Sequence, residues 1–113
     1  MIDSSIAVPA AKPPSAGLCL SAAEQRLVRQ IVDGVLPGAV IAVFGSRATG
    51  RARPYSDLDL LFIDPPRLDW AGRADLRDAF ERSNLPFAVD LVEAAGLPAG
   101  MVQRVLAEAI RLD

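Results

Sequence analysis

Histidine is missing altogether from the 113 residues, and cysteine occurs once. That excludes Ser-His-Asp and Cys-His catalysis and leaves no Cys/His cluster for zinc. Chemistry here must rest on carboxylates, hydroxyls, arginines or a bound hard metal. Cys19 has no internal disulfide partner and no basic neighbour in sequence, so it reads as an inert thiol. No run of eighteen apolar residues is present to span a bilayer. The opening, MIDSSIAVPAAKPPSAG, lacks the basic start and continuous apolar stretch of a secretory signal, which makes the cytosol the expected compartment and a membrane no partner. Excess positive charge is lacking too. Twelve Lys and Arg against fourteen Asp and Glu give a net charge of −2, and with no global basic field no stable nucleic-acid binding is expected.

The chain does have apolar residues, at 51%, enough for one domain with a modest core. Residues 1–18 are rich in Pro, Ala and Ser without a period and read as a flexible tail, leaving 19–113 as the domain. Ser21 and Glu24 have capping-box spacing ahead of Leu27, Val28, Ile31, Val32 and Val35, which predicts a helix ending near Gly34 to Pro37. Ala39 to Phe44 (AVIAVF), Asp57 to Ile63 (DLDLLFI) and Pro86 to Val92 (PFAVDLV) read as three strands. Between the first two lies the turn and short helix GSRATGRARPYS. A second long helix is expected from Leu68 through Asn84, and a last one from Leu97 to Leu112. The order predicts an α/β or α+β fold, a short sheet with helices packed against it.

Three features converge on one kind of site. Gly45-Ser46 ends the first strand where the chain must turn sharply into a helix; glycine permits the turn and a close backbone approach, and the serine hydroxyl can donate to a phosphate. Taken alone, the pair is more often a turn with a serine cap. Asp57 and Asp59 stand two apart on a strand and therefore share a face. Side by side they repel unless a cation lies between them, and oxygen ligands holding one or two Mg²⁺ ions beside a triphosphate are the usual reason for such a pair. Asp90 is a lone acid in an otherwise apolar strand. If that strand neighbours the second, Asp90 completes a triad of acids that can also help activate an attacking hydroxyl. Asp64, Asp69, Asp75, Asp78 and Glu93 are read as solvated charges.

Gly45-Ser46, ten residues, Asp57-x-Asp59 and then Asp90 on a later strand resembles the polymerase-β-like nucleotidyltransferase superfamily. Within it, GSRATGRARPYSDLDLLF is similar to the minimal nucleotidyltransferases, the antitoxin-type partners of HEPN-domain proteins, and the resemblance covers roughly residues 20–112. It implies a small nucleotidyltransferase fold with a short mixed sheet. It also implies two Mg²⁺ ions on Asp57 and Asp59 with Asp90 as third carboxylate, and a triphosphate held by Gly45 and Ser46. Arg47, Arg51 and Arg53 fall where such families place basic residues near the phosphates; phosphate contact and ordinary solvation stay open for each.

The implied reaction moves AMP from ATP to a tyrosine hydroxyl of a cognate HEPN ribonuclease toxin, silencing it. Two other readings compete: an antitoxin that masks its partner sterically, and a small-molecule nucleotidyltransferase of the aminoglycoside type, which the want of a second substrate domain disfavours. A mean hydropathy of +0.28 in so short a chain predicts apolar surface left for a partner or a second copy, around Trp70 and on the last helix.

Overall fold

A computed structural model describes residues 17–112. Its elements run α1 (Ala22–Val35), β1 (Val40–Phe44), α2 (Ser46–Thr49), β2 (Leu58–Asp64), α3 (Trp70–Glu81), β3 (Val89–Glu93), a 3-10 turn (Ala94–Gly96), α4 (Ala99–Glu108) and β4 (Ile110–Leu112). The expected tail lies outside the described residues for 1–16; Leu18 already packs against the core.

The start of α1 is fixed by a reciprocal cap. The Glu24 N–H donates to Ser21 Oγ at 3.0 Å and the Ser21 N–H donates to Glu24 Oε1 at 2.9 Å, satisfying two groups that a helix end otherwise leaves unpaired. Asp69 caps α3 in the simpler way, accepting from the Gly72 N–H at 2.7 Å. Val28 and Val32 of α1, and Leu76 and Phe80 of α3, are the buried members of their stripes.

The four strands form one mixed sheet in the order β3-β2-β1-β4. β1 is antiparallel to both β2 and β4, whereas β2 and β3 are parallel, with α3 as the crossover that a parallel pair requires. Register sorts the residues by face. Ile41 pairs with Phe62 and Leu112, Val43 with Leu60 and Ile110, and Leu60 with Leu91; all belong to one core cluster with Val28, Val32, Leu76 and Phe80. By alternation, Ala42, Leu61, Phe44, Asp59 and Asp90 stand on the opposite face. Ala42, Leu61, Val105 and Ala109 are buried without joining that cluster.

Two arginines tie helices to strand ends. Arg29 on α1 donates to the carbonyls of Leu112, at 3.0 Å, and Ala39, at 2.8 Å, while pairing with Asp33. Arg73 on α3 donates to the Leu91 carbonyl at 2.9 Å and pairs with Glu93 at 3.2 Å. Glu93 is thus held by an arginine rather than free in solvent.

The chain's end differs from expectation. The last helix stops at Glu108, and Ile110–Leu112 is a fourth strand on the outer side of β1. Ala109 and Ile110 fit a helical stripe as well as an alternating one, and the open hydrogen-bonding edge of β1 decides for the strand. Ala109 is extended (φ −68°, ψ 143°), and Ile110 and Leu112 are buried on either side of the half-buried Arg111. Of the surface predicted to be apolar, Val105, Ala109 and Ile110 are buried, Met101 is partly open, and Trp70 is 88% exposed.

Candidate active site

The site is built where β1 ends and β2 begins. At Phe44 the chain leaves the sheet and turns at Gly45 (φ 75°, ψ −151°), a conformation essentially closed to residues with a side chain. A Cβ here would also overlap Oδ2 of Asp59 and lie 3.2 Å from its Cγ. The glycine is therefore needed twice, for the turn and for the carboxylate pressed against it. From the turn's other side the Gly45 N–H donates to Oε2 of Glu108, 2.8 Å away at the end of α4. Ser46, half-buried, begins the one-turn helix α2.

The sheet brings the acids together. β2 begins at Leu58, so Asp57 lies just ahead of the strand rather than in it. The Leu58 N–H donates to the Ala88 carbonyl at 2.9 Å, which locks β2 beside β3 and sets Asp59 opposite Asp90. In a parallel pair, residues in register point to the same side. Asp59 is half-buried, and its carboxyl is pushed above the ordinary value, first by burial, then by the charges of Asp90, Asp57 and Glu108. Asp57 and Asp90 are exposed. The ion pairs Arg29–Asp33, Arg73–Glu93 and Arg82–Asp78 involve none of these acids.

Such a group suits a divalent cation: hard oxygen donors, like charges and a half-buried member. The side chains are not gathered into a cage, since among the described residues no three acidic, histidine or cysteine side chains are arranged to hold a metal ion.

Arg47 does not point to this face of the site. It is 5% exposed, and all three nitrogens of its guanidinium donate to backbone carbonyls: Nε to Ser56 at 3.0 Å, Nη1 to Cys19 at 2.8 Å, Nη2 to Pro54 at 3.1 Å. The group also lies 3.9 Å from the centre of the Phe87 ring. In place of either role open to it from the sequence, phosphate contact or solvation, this geometry has Arg47 pinning the loop that delivers Asp57. Arg51 and Arg53 are exposed on that loop. The Arg53 N–H donates to Ser56 Oγ at 2.8 Å, closing the turn through Pro54 and Tyr55.

Glu108 escaped the reading of the sequence. It is one charge at the edge of an apolar helical stripe, and only the packing of α4 carries it 63 residues back to Gly45.

The family model for polymerase beta, nucleotidyltransferase, matches residues 38–112, from the turn before β1 to the end of β4. The chain belongs to the polymerase β nucleotidyltransferase family. It is a transferase of nucleotidyl groups, as the resemblance carried by Gly45-Ser46 and Asp57-x-Asp59 implied, and its mixed four-stranded sheet suits that family. It is also 40% identical over 80 residues to a probable protein adenylyltransferase, MntA, of Haemophilus influenzae, covering 71% of this chain and 70% of the relative. No helix among the described residues is long and apolar enough to cross a membrane.

Proposed function

We propose that this nucleotidyltransferase is a protein adenylyltransferase that moves AMP from ATP to a tyrosine hydroxyl of a HEPN-type toxin and so acts as its antitoxin. The observation that carries the reading is the pairing of Asp59 with Asp90 beside the Gly45 turn. The name of the Haemophilus relative supports a protein acceptor.

Asp57 and Asp59 would hold Mg²⁺, two ions in full occupancy, with Asp90 as third carboxylate. When bound, the metal supplies charge stabilisation to the α-phosphate and the leaving diphosphate. The chain's own residues do the rest. Ser46 donates its hydroxyl to the triphosphate, and Arg51 and Arg53, exposed beside it in sequence, add positive charge. Asp90 accepts the proton of the attacking hydroxyl. The oxygen of that hydroxyl bonds to the α-phosphorus, the bond from phosphorus to the bridging oxygen of the leaving group breaks, and diphosphate departs.

The printed name of the Haemophilus relative favours a protein acceptor over an aminoglycoside. Incubation of the co-expressed pair with α-labelled ATP, with and without EDTA, tests the proposal. Label on the partner that vanishes with EDTA supports it; a partner neutralised with no label transferred would leave steric masking as the function.

A further inference from the structure

Gly45 is held from two sides by acids of different standing. Asp59 fills the space where a side chain would be, and Glu108 takes the backbone N–H at 2.8 Å. Glu108 is itself well anchored. It is the last residue of α4, the next two residues, Ala109 and Ile110, are fully buried, and β4 is bonded to β1 two residues before the turn it holds. Its half-buried carboxylate is thus brought within electrostatic reach of Asp59, a like charge. The hydrogen bond to Gly45 is the offsetting contact on view.

We propose that Glu108 is a positioning residue for nucleotidyl transfer: it fixes the Gly45 turn and, through that turn, the seating of the Asp59 carboxylate. This rests on the transferase reading of the site. Were the turn to drift outward, Asp59 would lose the backbone it is pressed against and gain rotamers. A displacement of about 1 Å at a catalytic group can lower a rate roughly a hundredfold. A division of labour also follows. With its N–H given to Glu108, Gly45 supplies shape rather than a phosphate contact, and the hydrogen bond to the triphosphate falls to Ser46.

The test compares wild type with Glu108→Gln, Glu108→Ala and Glu108→Asp, measuring AMP transfer from labelled Mg²⁺-ATP to the co-expressed HEPN-type partner over a range of ATP. Glutamine keeps an acceptor oxygen at the same reach, so it should hold kcat within about threefold, while alanine should lose roughly ten- to a hundredfold in kcat with KM for ATP little changed. Should alanine fail to fold, aspartate, which keeps the charge but withdraws it by one methylene, should show the same loss. An alanine or aspartate variant as fast as wild type overturns the role. So does a glutamine variant as slow as alanine, which would mean that the charge itself acts in the reaction. A wild type that transfers nothing would instead overturn the transferase reading on which the role depends.

Discussion

Asp59 on β2 and Asp90 on β3 are register partners across a parallel pair, so two carboxylates share one face of the sheet with Asp57 just upstream. Arg29, Arg82 and Arg73 form their ion pairs with other acids, Asp33, Asp78 and Glu93. Negative charge is concentrated at the one place where the backbone turns through Gly45, and most expectations for the protein follow from that.

Asp59→Asn should stabilise the metal-free protein while abolishing transfer. The carboxyl of Asp59 is raised above 3.8 by burial and by Asp90, Asp57 and Glu108. The folded state thus holds this proton more tightly than the unfolded chain. The stabilisation is fully present below the ordinary aspartate value and is lost as pH rises through the elevated folded one. At pH 7 in EDTA the asparagine variant should therefore melt at or above wild type, and its advantage should shrink as pH is lowered towards 3.8. A clear loss of melting temperature at pH 7 would give Asp59 a structural partner instead.

Mg²⁺ with ATP should raise the melting temperature of wild type by linkage and leave Asp59→Asn nearly unmoved. Calorimetry checks the same point, and unchanged Mg²⁺-ATP affinity in the variant would remove Asp59 from the metal site.

Gly45→Ala meets both a disallowed backbone conformation and the Asp59 carboxylate. The backbone strain alone costs about 1–3 kcal/mol, and relieving the overlap must move Asp59. Transfer should fall by more than tenfold even at temperatures where circular dichroism shows the variant folded. A folded and fully active alanine variant would contradict the placement of Asp59 against the turn.

Arg47→Lys should destabilise by about 2–4 kcal/mol, because one ammonium cannot reach the Ser56, Cys19 and Pro54 carbonyls that the guanidinium bridges. Denaturant unfolding measures this. A variant of wild-type stability that has lost only ATP affinity would return Arg47 to the phosphates.

Much of this was legible in the sequence because it is local. The Ser21/Glu24 cap and the two apolar runs before and after GSRATGRARPYS follow from spacing alone, whereas Asp57, expected on the strand beside Asp59, lies one residue ahead of it. Asp90 needed one assumption, that its strand neighbours β2, and the parallel pairing supplies it. What stayed hidden is set by contacts distant in sequence. Ile110–Leu112 is a strand only because β1 has an open edge beside it. Glu108 matters only because α4 ends over Gly45. The sequence leaves Arg47 open between phosphate contact and solvation, and burial against Phe87 with three carbonyls in reach fits neither.

The central claim is transfer of AMP to a protein by the Asp57, Asp59 and Asp90 group, and mass spectrometry of the chain co-expressed with the proposed HEPN-type partner tests it most directly. AMP should appear on a partner tyrosine with the wild-type chain and be absent with Asp59→Asn. A partner left unmodified by the wild type, or modified equally by the asparagine variant, would contradict the account.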